Sequence, residues 1–415
     1  MTAIINARLY DYVTYIESGY VCFEETIQEV GPMENFKGAD SIIDAKGMLI
    51  LPGFINFHTH AYSVFATGFD FKASPKSFTD ILEQIWWRMD RILECEDLYH
   101  SAIYYGACSA QDGVLGIVDH NASGAIKGAL ESVKRGFDEV GVYGTTCFET
   151  SDRYQVEACL TENENFIRKG QPYFGLHASM TLSDKTLGAV RSRLNGGLIH
   201  VHVSESIDDQ NRYTETPIQR LNRHGLLKPD SLLVHGVHLS HADYQRIRDH
   251  ECVLALAPKS NLNNGVGTVD FKELIENDIQ ILAGTDGLGT DVANSWLWIY
   301  YLANNQLGGL SPDFLRNAIE KSYLYYERVT GRKTGRFKTG YRMDLILVNY
   351  NPATPIDSES IFAHLLYGVF EKMDVQKAWV NGNQIVDKGR LTHSYLEASK
   401  NAVHVIWDKL GGKHV

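Results

Sequence analysis

Eight short apolar runs recur between residues 49 and 287, and most are followed by a longer stretch in which apolar and polar residues mix. They are LILPGFINFHTH (49–60), GVLGIVDH (113–120), GVYGTTCFET (141–150), QPYFGLHASM (171–180), GLIHVHVSES (197–206), SLLVHGVHLS (231–240), CVLALAPKSN (252–261) and IQILAGTDG (279–287). Segments such as 77–112 and 241–251 suit the helices between them. Strands that alternate with helices pair in parallel, and eight such units close into a (β/α)8 barrel of about 250 residues. The runs are nearly continuous in apolar character, as expected of strands covered on both faces. The chain has 415 residues, so a smaller module fits beside a barrel.

The flanks read differently. Residues 1–48 hold short strand-like stretches with glycine turns, AIINARLYDY and YIESGYVCFEETIQEVG. Residues 340–392 hold MDLILVNY and DVQKAWVNGNQIVDKGRL, where Asn381-Gly382 between two apolar runs is a strong hairpin signal. The expected α/β architecture is therefore a barrel over 51–339 plus a small β-sandwich domain built from both chain ends, 1–50 and 340–395. A C-terminal helix is expected over 396–415.

Composition narrows the partners. Hydrophobic residues make up 44% and charged residues 22%, so a large core needs no disulfides. A net charge of −12 repels phosphate backbones, which argues against nucleic acid. No run of about 18 apolar residues offers a membrane span. MTAIINARLYDY lacks the basic and apolar regions of a signal peptide. The six cysteines are scattered with no CxxC pair, so a reduced, cytoplasmic protein is expected. Homo-oligomer formation is left open.

Chemistry in such a barrel gathers at the C-terminal ends of the strands. Eight of the 16 histidines fall there: His58, His60, His120, His177, His200, His202, His235 and His238. In a strand, side chains two residues apart share a face, about 6.5 Å apart. His58 and His60 can thus converge on one ion, and neutral imidazole suits Zn²⁺ or Fe²⁺. A lone HxH pair is weak evidence; candidates on other strand ends strengthen it. His202, in HVSE, can be a third ligand, with Glu205 facing substrate. Asp286, in AGTDG, can complete the shell and accept a proton from water, although an Asx turn gives the same pattern. His235 can bond that water or a developing oxyanion. His200 lies one layer deeper and suits a packing or supporting role. His177 and His120 are candidates for substrate contact or packing. His238 is a rim candidate, and Tyr62 and Phe65 follow the HxH pair on a loop that can touch substrate. Trp87 and Arg153 are further pocket candidates, although core packing is the favoured reading for Trp86 and Trp87.

Taken together, LPGFINFHTH, HVHVSE, LLVHGVHLS, PKSNLNNGVG and LAGTDGLGTD resemble the amidohydrolase superfamily, in its deaminase and chlorohydrolase branch. WWRMDR, VDHNAS and TCFETSDR are most similar to SsnA-type aminohydrolases. The resemblance implies one divalent metal, zinc first and iron as the alternative, held by His58, His60, His202 and Asp286. It implies Glu205 as proton shuttle and His235 as partner of the attacking water. The fourth strand has no lysine before Lys185, so a carboxylated-lysine bridge between two metals is not expected. The implied activity is deamination of a small nitrogen heterocycle. Cleavage of a C–Cl or amide bond, or an inactive binding subunit, are the rivals.

Overall fold

The computed structural model of the chain describes residues 1–411. Eight parallel strands form the expected ring: Phe54–Thr59, Val114–Asn121, Tyr143–Phe148, Tyr173–Ala178, Leu198–Val203, Leu232–His235, Val253–Leu256 and Ile281–Ala283. The first three pair with one another, and so do the last five. Two single parallel bridges, Thr150–Leu176 and Thr59–Asp286, join these groups and close the barrel. The strands are buried almost throughout. Their continuous apolar character follows, since helices cover one face and the opposite face fills the barrel interior.

The run LILPGFINFHTH is not one strand. Leu49–Pro52 pairs with Leu345–Val348, outside the barrel, and the first barrel strand starts only at Phe54. Gly53 turns between them; a Cβ there would lie 2.3 Å from the Leu115 side chain. The other strands of the flanks join Leu49–Pro52 in one nine-stranded sheet, not two separately paired sheets, among the described residues. Ile4, Leu9, Val21, Ile50, Leu345 and Trp379 form its core. Asn381 and Gly382, at φ of 50° and 73°, turn the hairpin between Val375–Val380 and Asn383–Asp387. Positive φ at both positions is the mirror-image turn that matches strand twist.

The final helix spans Leu396–Lys409; the last four residues of the expected 396–415 segment lie outside the described residues. Among the described residues no helix is long and apolar enough to cross a membrane.

One element departs from a plain barrel helix. After the first strand the chain runs through Phe78–Ile81, a π-helical turn at Leu82–Trp86, and Trp87–Ile92. Such wide turns re-aim side chains and recur at functional sites. This lid helix faces the C-terminal mouth of the barrel.

Candidate metal centre and its pocket

His58 and His60 leave the first strand with rings 4.9 Å apart. Each has its Nδ1 already engaged. His58 Nδ1 lies 2.9 Å from His200 Nε2, and His60 Nδ1 donates to the His120 carbonyl oxygen at 2.7 Å. That leaves both Nε2 atoms turned inward, 3.2 Å and 3.1 Å from Asp286 Oδ1. His200 thus holds a ligand candidate in place, in keeping with the deeper layer expected for it. Outer partners of this kind set tautomer and orientation.

His202 stands across from the pair, its ring 5.0 Å from that of His58 and 5.3 Å from that of His60. Its Nε2 is buried and has no hydrogen-bond partner. The candidate ligand atoms of His58, His60, His202 and Asp286 all lie within 4.8 Å of one another. An orphaned imidazole nitrogen beside three other donors is what a divalent ion would satisfy. Three neutral imidazoles and one carboxylate fit zinc or iron.

Asp286 reaches the centre because Gly284 lets the eighth strand press against the first. A Cβ on Gly284 would lie 2.8 Å from the His58 carbonyl oxygen. Thr59 Oγ1 donates to the Asp286 carbonyl, and Ser260 Oγ donates to Asp286 Oδ2. Asp286 and His235 both have left-handed backbones, with φ of 54° and 72°. Non-glycine residues adopt that conformation rarely, and such strain clusters at functional sites.

Glu205 follows the fifth strand, and its Oε2 lies 3.4 Å from His235 Nε2. Asn261 Oδ1 accepts from His235 Nδ1 at 2.9 Å. In that tautomer His235 Nε2 carries the lone pair and accepts.

The electrostatics separate these groups. Burial drives His58 down to about 3, and His202 well below its ordinary value. Burial also raises Glu205 well above the usual carboxyl range, reinforced by the Asp286 charge. Burial opposes ionisation of Asp286, but hydrogen bonds from His58 and His60 hold it low. Burial would lower His60, yet the same Asp286 contact lifts it to about 9 in the metal-free chain. Two adjacent carboxyls are thus pushed in opposite directions, Asp286 down and Glu205 up.

Above the centre lies a cavity with about 510 Å³ of empty space, part of it open to solvent. His177, Tyr62 and Trp87 line it. So does Trp86; both tryptophans face the cavity, where core packing was the favoured expectation. Four other candidates stand outside its wall. Phe65 packs on Tyr104, with rings 5.8 Å apart. His120 is buried behind His60 and His202, and both its ring nitrogens lack partners. His238 lines a neighbouring groove with Phe78 and Asn264. Arg153 is tied to Asp90 and Glu149, each at 2.9 Å, and stacks on Trp87.

Asp90 and Glu149 also line the cavity, and neither was singled out from the sequence. Glu149 sits directly after the third strand, where the strand-end rule would have placed it. Asp90 lies within WWRMDR on the lid helix, and nothing local marks it as more than a helix-surface acid.

The amidohydrolase family model matches residues 49–385. The chain belongs to this family. Over 398 residues it is 27% identical to a 5-methylthioadenosine/S-adenosylhomocysteine deaminase of Pyrococcus furiosus, covering 91% of this chain and 93% of that one. A 5'-deoxyadenosine deaminase of Methanosarcina acetivorans is 25% identical, over 91% of this chain and 90% of the relative. Among solved structures, an adenosine deaminase from Xanthomonas campestris with bound zinc superposes with a TM-score of 0.84 at 16% identity, covering 99% and 98% of the two chains. An atrazine chlorohydrolase from Arthrobacter aurescens TC1 complexed with zinc gives 0.81 at 17%, covering 98% and 100%. At such identities the superpositions establish the shared fold, a barrel with an additional domain, and carry no residue roles.

Proposed function

We propose that this amidohydrolase-family chain is a metal-dependent aminohydrolase. It adds water to an amidine-like carbon of a small nitrogen heterocycle and releases ammonia. The observation that carries the reading is the convergence of His58, His60, His202 and Asp286 on one point, with Glu205 and His235 beside it. These four residues would hold a single divalent ion, zinc first and iron as the alternative. When bound, such an ion lowers the pKa of water toward about 7 and polarises the reacting carbon's substituent.

The chain's own groups then divide the proton traffic. Asp286, held ionised by its histidine neighbours, accepts the proton of the attacking water. His235, its Nδ1 donating to Asn261, accepts a hydrogen bond from that water through Nε2 and aims it. Glu205, held protonated by burial, donates to the ring nitrogen beside the attacked carbon. The proton gathered at Asp286 passes on to the departing amine, and as ammonia leaves the remaining hydroxyl proton returns to Glu205, giving the carbonyl product. Trp86, Trp87 and Tyr62 offer flat faces to a planar ring, and His177 adds a polar contact.

An intact ligand set argues against an inactive binding subunit. The test is an ammonia-release screen of zinc-reconstituted protein over purines, pyrimidines, pterins and aminotriazines. Ammonia from at least one ring class, lost on chelation, supports the reading; chloride release from chlorotriazines without ammonia from any ring overturns it.

A further inference from the structure

Asp90, Glu149, Glu205 and Asp286 line the cavity, and among the described residues no lysine or arginine does. Away from the floor, where His60 and the other candidate ligands lie, Asp90 and Glu149 make the wall acidic, with Arg153 behind them. Arg153 Nη2 donates to Asp90 Oδ2, Glu149 Oε1 and Tyr154 Oη at 2.9 Å, 2.9 Å and 3.1 Å. Its guanidinium also lies over the Trp87 and Tyr154 rings, 4.5 Å and 4.7 Å from their centroids. Arg153 is therefore tied to its neighbours through Nη2, while its buried Nε has no partner. One guanidinium faces two carboxyls; burial pushes both up, Asp90 to about 6, so the wall carries its surplus negative charge above that pH.

Asp90 is only 1% exposed, yet its Oδ1 has no hydrogen-bond partner. A buried carboxylate oxygen without a donor is costly. A bound ring that brings an N–H or amino group removes the cost; a bound carboxylate or phosphate adds a like charge in a poorly screened site.

Resting on the deaminase reading for the reaction, we propose that the Asp90–Glu149 wall selects the charge of the substrate. The site takes uncharged or cationic rings with a donor edge and rejects the same rings carrying a carboxylate or phosphate.

The test separates binding from turnover. Zinc-loaded Glu205→Gln protein is titrated calorimetrically with matched pairs: adenosine and adenosine monophosphate, pterin and pterin-6-carboxylate. At least one uncharged member should bind about tenfold or more tighter than its anionic partner. Adding Asp90→Asn, which keeps the shape and removes the surplus charge, should shrink that ratio. Equal binding within the pairs, tighter binding of the anions, binding of no uncharged member, or a ratio that Asp90→Asn leaves unchanged would each overturn the proposal. Wild-type protein that binds the uncharged rings with this preference but releases no ammonia from them would overturn the deaminase reading and leave charge selection standing.

Discussion

The two ends of the pocket are built from the same residue types in different ways. At the floor, His58 and His202 sit on barrel strands, His60 directly follows one, Asp286 is bridged to Thr59, and each of the HxH rings is held by a second contact. On the wall, Asp90 rides the π-turned lid helix, and Glu149 and Arg153 sit on the loop after the third strand. The floor is buried donors converging on a point, which suits an ion. The wall is a charge cluster with one oxygen unsatisfied, which suits a ligand edge. The contrast teaches that strands set the chemistry and the elements between them set what is admitted.

That division can be broken by mutation. The largest effect is expected at the floor. His60→Ala should leave well under one equivalent of metal by elemental analysis and lower turnover by about 10³-fold or more, since the ion supplies several kcal/mol of transition-state stabilisation. Glu205→Gln should keep the metal and cost about 10²–10⁴-fold in kcat. Because the proton-donating form of Glu205 is the raised, protonated one, kcat of the wild type should fall as pH rises through that group's pKa. Metal loss in Glu205→Gln would place the residue among the ligands instead.

A smaller effect is expected one layer out. Asn261→Leu removes the acceptor that sets the His235 tautomer and should cost about 10–100-fold in kcat with metal retained. The smallest belongs to the wall. Trp87→Ala, which removes a ring stacked on Arg153, should raise KM about 2–10-fold, the worth of one aromatic contact, with kcat and metal content nearly unchanged. A collapse of kcat in Trp87→Ala as deep as that in Asn261→Leu would erase the distinction between floor and wall.

Much of the floor was legible in the sequence. Period-two alternation puts His58 and His60 on one face, and apolar runs that end in polar residues mark the mouth of a barrel. Hence the eight strands, the ligand candidates and the Asn381-Gly382 hairpin were all readable from local pattern. The boundary near residue 50 was less so. LILPGFINFHTH is apolar throughout, and hydrophobicity does not say that Leu49–Pro52 pairs with Leu345–Val348 in the other sheet.

The wall was legible only in fragments. Arg153 looks like a pocket cation in sequence, and only packing shows it bound by Asp90, 63 positions earlier in the chain, and by Glu149. His120 and Phe65 lie near pocket residues in sequence but behind the wall in space. The sequence by itself determined the barrel, its reactive end and the donor types available to a metal, because these follow from periodicities that act over a few residues. Tertiary structure decided which acid stays protonated, which nitrogen of His235 is free and which charges remain unpaired. Burial and partners from distant segments set those properties, and no local stretch encodes them.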